Sequence, residues 1–187
     1  KKLSDKGGKN CDVLVMSATP IPRTMIMTVF GDMDTSIIKN KPKNRKEIKT
    51  YSKLETKSEE IIKFVKKQIN HKNQVFWVCP LIEESKKIDH QSSVKRYEGL
   101  KKIFKNKVGL IHGALEKDEK NNILLKFLNK EIDILVSTTV IEVGIDFPNA
   151  NIIIIENANK FGLSQLHQLR GRVGRGNKES YCILMFK

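Results

Sequence analysis

Residues 165–176 read Gln-Leu-His-Gln-Leu-Arg-Gly-Arg-Val-Gly-Arg-Gly, and no other stretch concentrates so much chemistry. The chain holds six arginines (Arg23, Arg45, Arg96, Arg170, Arg172 and Arg175), so half of them stand in one hexapeptide. The remaining 29 of its 35 basic residues are lysine. A guanidinium is a rigid fork that grips two phosphate oxygens at once, whereas an ammonium is a mobile point charge. The surrounding choices work against helix stability. Gly171 and Gly174 would each cost roughly 1 kcal/mol against alanine inside a helix, and like charges three residues apart repel. The glycines also remove side chains that would hold another backbone or a phosphate away. Gln168, Arg172 and Arg175 fall at i, i+4 and i+7, on one helical face or on a helix end and the loop after it. Together they predict a polyphosphate site.

Two further groups follow apolar runs that read as strands. His112-Gly113 comes after 108–111. Ser137-Thr138-Thr139 comes after 132–136 and leads to Gly144 and Asp146. Hydroxyls, a glycine and a fixed carboxylate suit phosphate oxygens and a ribose, although hydroxyls in such places also cap helices. Two imitations are rejected. The glycines of 171–176 reverse the spacing of a dinucleotide-binding turn, and no Gly-x-x-x-x-Gly-Lys-Ser/Thr phosphate loop exists. The run 152–156 mimics a strand ending in a magnesium carboxylate, Glu156. Without a phosphate loop the chain is expected to carry half of a nucleotide site and no metal ligands.

The elements needed to position these residues can be read from periodicity. Strands are expected at 47–52, 74–79, 108–111, 132–136, 152–155 and 181–186. Helices are expected at 56–70, opened by a Thr56-x-x-Glu59 capping box, and at 92–104, 115–128 and 163–172. Strands apolar on both faces, alternating with helices of about 10–15 residues, predict a parallel sheet covered on both sides. In such sheets ligands sit at the carboxyl ends of strands. Trp77 and the 152–155 run are expected in the core. Residues 39–49, polar, basic and holding Pro42, read as a linker.

Length and composition bound the answer. At 187 residues with 39% hydrophobic and 30% charged residues the chain reads as globular. No run approaches the roughly 18 apolar residues of a membrane span. Cys11, Cys79 and Cys182 are odd in number and far apart, as expected of reduced core thiols in a cytoplasmic compartment. The net charge of +14 suggests a polyanionic partner. The chain begins Lys-Lys-Leu-Ser-Asp, without Met, so a piece of a longer polypeptide is expected.

These strings resemble the conserved motifs of superfamily 2 helicases. Ser17-Ala18-Thr19 is similar to motif III, 137–146 to motif V, and Gln168-x-x-Gly171-Arg172-x-Gly174-Arg175 to motif VI. The longer strings, Ala18-Thr-Pro-Ile-Pro-Arg23-Thr, Trp77-Val-Cys-Pro-Leu-Ile-Glu-Glu-Ser85 and 161–176, resemble the RecG family of bacterial ATP-dependent branch-migration helicases. The resemblance implies an α/β fold, a RecA-like second helicase lobe over 41–187 without a Walker A loop. Residues 1–40 would be the tail of the first lobe. Arg172 and Arg175 would reach the ATP phosphates, with Arg175 the stronger arginine-finger candidate, and Gln168 would sense the nucleotide. Gly144 and Asp146 would line the cleft. His112, Gly113, Thr138 and Thr139 would lie along the DNA, and Ser17 and Thr19 would couple hydrolysis to lobe movement. ATP with Mg2+ is implied, the magnesium ligands belonging to the first lobe. Branched DNA is implied as substrate, with the first lobe and a wedge domain in the same polypeptide, acting as a monomer away from membranes. Phe147 stands where the family carries a smaller aliphatic residue. The transcription-repair coupling translocase shares the Thr-Pro-Ile-Pro-Arg and Gly-Arg-Val-Gly-Arg strings. A non-catalytic nucleic-acid-binding module and a nucleotide-dependent dehydrogenase are the other readings.

Overall fold

The central strands are continuous apolar runs with no polar face and are buried on both sides, whereas the edge strand at 48–54 is polar and exposed. The computed structural model describes residues 16, 36, 38, 46–80, 86–138 and 147–187, with backbone alone over 86–92. Ser17, Thr19, Thr139, Gly144 and Asp146 lie outside the described residues. The chain divides into two units, Lys1–Lys39 and Asn40–Lys187, and every element below belongs to the second. In chain order these are β1 (Ile48–Leu54), α1 (Ser58–Asn70), β2 (Gln74–Val78), α2 (Lys86–Phe104), β3 (Val108–Ile111), α3 (Lys117–Leu128), β4 (Ile134–Ser137), β5 (Ala150–Ile155), α4 (Leu163–Arg170) and β6 (Ser180–Phe186). All strand pairs are parallel, in the order β1-β6-β5-β2-β4-β3.

Alternation along the strands divides the core in two. Val75, Trp77, Ile134, Val136, Ile152 and Ile154 face Ile61 and Val65 of α1 and Leu100 of α2. Phe76, Val78, Leu135, Ile153 and Ile155 face Leu124 and Phe127 of α3 and Leu169 of α4. Phe147 is buried. It meets Phe127 edge-on at 5.3 Å between ring centres and Phe76 at 5.7 Å. It is the third ring of an aromatic cluster with Phe76 and Phe127.

Several boundaries differ from the sequence reading. The Thr56-x-x-Glu59 box does not form. Residues 55–57 make a 3-10 turn and α1 starts at Ser58, so Thr56 lies inside helical backbone rather than before it, and no side chain caps Lys57. Helix α2 begins at Lys86, six residues before its expected start at Ser92, and Ser93 is wholly buried within it. Helix α4 ends at Arg170, two residues early, with Gly171 at its C-cap.

Candidate functional site

Because every strand runs the same way, each loop leaving a strand lies at one edge of the sheet and each loop entering a strand at the other. His112-Gly113 leaves β3 and Ser137-Thr138 leaves β4, and these strands are neighbours. The Thr138 N–H donates to the Ile111 carbonyl at 3.4 Å, which brings the two segments together at the carboxyl edge. Thr138 is buried, His112 half-buried and Gly113 exposed. A Cβ on Gly113 would meet nothing within 4 Å, so the chain itself does not require glycine there.

The arginine segment lies elsewhere. Helix α4 returns from β5 and residues 171–179 lead into β6, so they reach the amino edge. Gly174 has φ +73°, and a Cβ there would stand 3.1 Å from Ile48 and 3.3 Å from Ser180, the first residues of β1 and β6. A Cβ on Gly176 would stand 2.9 Å from the Pro148 carbonyl, just before β5. The expectation that all ligand-facing residues gather at strand carboxyl ends therefore fails for the arginines. The same contacts show what the two glycines do in this chain: they let the loop press against three strand starts. Only the close approach of backbone, not of a phosphate, is visible in them.

Of the three nearby arginines, Arg170 is half-buried and lines a shallow groove with Lys46, Ile48, Thr50 and Glu179. Gln168 occupies the last turn of α4, exposed. Arg172 follows in the turn, half-buried, and Arg175 is exposed in the loop. The second of the two geometries open from spacing is the one adopted, a helix end and the loop after it. Arg172 makes no ion pair with any carboxylate among the described residues, a state that suits an anion from outside.

A cluster invisible to motif reading sits at the carboxyl edge. Glu156, directly after β5, accepts a hydrogen bond from Trp77 Nε1 at 2.6 Å and pairs with Arg96 Nε. The Arg96 guanidinium lies 5.5 Å from the Trp77 ring centre, and Cys79 Sγ is 4.0 Å from Glu156 Oε2. Burial, with the Glu156 charge adding to it, holds the Cys79 thiol far above its ordinary range. Glu156 is engaged within the fold rather than presented to a metal. The signal for this cluster was Arg96 itself, a rare residue alone in a lysine-rich helix.

Comparison with known proteins supplies the rest. Residues 56–177 match the family described as "Helicase conserved C-terminal domain". The chain belongs to that family. Within it, this helicase C-terminal domain is 52% identical to the ATP-dependent DNA helicase RecG of Bacillus subtilis over 99% of its own length, and 51% identical to that of Thermotoga maritima over 95%. It spans about a quarter of each relative, 27% and 23%. A structure described as RecG bound to a three-way DNA junction superposes with a TM-score of 0.77 at 49% identity, covering 96% of this chain and 23% of that one. Domain 2 of the DEAD-box helicase Mss116p, at 21% identity and a TM-score of 0.54, shares the fold. The six-stranded parallel sheet is thus a RecA-like helicase C-terminal lobe.

Proposed function

We propose that this chain is the second motor lobe of an ATP-dependent DNA helicase that branch-migrates Holliday junctions and regresses stalled replication forks. The observation that carries the reading is Gln168, Arg172 and Arg175 on the end of α4 and its loop, with Arg172 lacking any acidic partner among the described residues. These residues suit a nucleotide polyphosphate. Two planar forks provide charge-assisted bonds, and Gln168 beside them can donate or accept. When bound, ATP supplies the free energy that drives opening and closing of two lobes through differential contacts in its two hydrolysis states. Arg175 is assigned the arginine finger, Arg172 the second phosphate contact and Gln168 the nucleotide sensor.

His112, Gly113 and Thr138, with Thr139, are assigned to the DNA track at the carboxyl edge. Gly144 and Asp146 would complete the nucleotide side, and Ser17 and Thr19 the coupling to the first lobe, whose tail would be residues 1–40. Mg2+ would be held by that first lobe; among the described residues no group of three or more acidic, cysteine or histidine side chains could hold a metal. The working protein is read as a monomer in the bacterial cytoplasm or in an organelle of bacterial origin, with both lobes and a wedge domain in one polypeptide.

The test is Arg175→Ala in the full-length protein. ATP turnover should fall by roughly 10³-fold, the scale of a lost arginine finger, while DNA affinity holds. Turnover within a few-fold of the parent would remove Arg175 from the role. Unchanged turnover in Arg172→Ala as well would favour a non-catalytic nucleic-acid-binding lobe.

A further inference from the structure

Three helices of this lobe end in the same unusual way. Residues in the left-handed region are normally glycine or asparagine, because a larger side chain crowds the following carbonyl. Here Lys72 (φ 59°), Lys105 (φ 54°) and Lys130 (φ 62°) adopt it, directly after α1, α2 and α3. Two of the endings are full Schellman caps. The Asn73 N–H donates to the Gln68 carbonyl and Lys72 to Ile69; Glu131 donates to Lys126 and Lys130 to Phe127. Lysine therefore stands in the position where glycine is the usual residue. Attraction to a helix C-terminus explains lysine in the last turn, such as Lys67, Lys102 and Lys126. It does not explain lysine at the strained position itself. Asparagine, better tolerated there, flanks all three (Asn73, Asn106 and Asn129) without occupying it. Backbone strain kept where a cheaper residue was adjacent points to a use for the side chain.

The topology aligns these lysines. The loops they occupy enter β2, β3 and β4, which stand in the order β2-β4-β3, so Lys72, Lys130 and Lys105 belong to adjacent positions along the amino edge. Helices α1 and α2 pack on one face of the sheet and α3 on the other, so Lys72 and Lys105 follow helices on one side of this edge and Lys130 a helix on the opposite side. All three are exposed and none has an ion pair among the described residues. The acids in these loops are Glu131 and Asp133, the latter 3.8 Å from Lys107.

We propose that this row of lysines binds the phosphate backbone of a second duplex arm of a branched DNA substrate. The proposal rests on the functional reading above. It concerns the edge opposite His112 and Thr138, so a duplex lying along the proposed track does not account for the row. Point charges on flexible stems, flanked in two of the three turns by exposed asparagines (Asn106 and Asn129) that can also donate to phosphate oxygens, suit sequence-independent contact with a rigid polyanion. An acidic peptide would need an apolar or aromatic anchor in its midst, and the exposed residues of the three turns are lysine, asparagine, histidine and one acid, Glu131.

The test uses the full-length protein carrying Lys72→Gly, Lys105→Gly and Lys130→Gly together, beside the same three positions changed to Arg. Glycine relieves the left-handed strain, so the melting temperature should hold or rise, which separates lost binding from lost folding. Affinity for a three-way junction should drop on the order of tenfold at physiological salt. The slope of log affinity against log salt should shrink by about two to three units, near 0.9 for each phosphate contact removed. Affinity for linear duplex and the ATP turnover it stimulates should stay as they were, and the arginine variant should bind the junction like the parent. Unchanged junction affinity and slope in the glycine variant would overturn the proposal, as would retention of an acidic peptide that the variant alone loses. An equal loss on linear duplex would also overturn it, by assigning the lysines to the one track. Should Arg175 prove dispensable for turnover, the binding result is read independently, since it involves no nucleotide step.

Discussion

Single atoms decide several positions in this lobe. Gly174, at φ +73°, has Ile48 and Ser180 within 3.3 Å of where a Cβ would be, and Gly176 would drive one into the Pro148 carbonyl at 2.9 Å. Gly174→Ala and Gly176→Ala should each destabilise the chain by about 1–3 kcal/mol, while Gly113→Ala, opening into empty space, should cost less than about 0.5 kcal/mol. Urea midpoints of the three variants check this; equal costs would remove the packing argument. Phe147 is a second case. Truncating it to alanine would empty the site of one ring of a three-ring cluster and cost about 3–5 kcal/mol, also visible in the urea midpoint. At this scale the sequence was informative about residue type and poor about purpose. The glycines of 171–176 read as clearance for another backbone or a phosphate, and the contacts visible in the fold are with Ile48, Ser180 and the Pro148 backbone.

At the scale of elements, β2 and β5 are tied to α2 by Glu156. Removing Arg96 would leave that half-buried carboxylate with Trp77 alone. Arg96→Met should cost about 1–2 kcal/mol, less than a fully buried pair because both partners keep some solvent, and should shift the emission of Trp77, the chain's single tryptophan. An unshifted spectrum at unchanged stability would mean that the cluster does not hold α2. The thiol on β6 gives a pH prediction. Burial, opposed by Arg170, pushes Cys182 from 9.0 to about 11. The folded state thus keeps the proton longer than the unfolded chain does. Its contribution is complete below pH 9 and is lost as the pH climbs towards 11. Stability measured at pH 8 and at pH 10.5 should decline in the parent, and less in Cys182→Ala. The elements themselves were largely legible, since β3 matches its expected bounds and the others differ by a few residues. The exceptions are α1, where Thr56 pointed to a start two residues early, and α2, which starts six residues before the expected Ser92. Capping hydroxyls can serve a cap, a turn or a buried bond, and only packing selects among them.

For the whole molecule, the expected half-site has a direct consequence. The 187-residue chain alone should show no DNA-stimulated ATP turnover, measured after stringent purification, and turnover that survives would sink the two-lobe reading. The parallel α/β class, the helicase motifs and the residues to watch were determined by the sequence alone, because they depend on local periodicity and on side-chain chemistry. A short apolar run bounded by turn residues reads as a strand buried on both sides, and a rare fork repeated three times is a candidate anion site before any fold is known. The sequence did not settle which edge of the sheet each group would reach. That depends on all six strands running in one direction. With that direction fixed, a segment leaving a strand and a segment entering one stand a full strand length apart. Arg172 and Arg175 thus belong to one edge and His112 and Thr138 to the other, and three lysines far apart in the chain come to the same edge as the arginines.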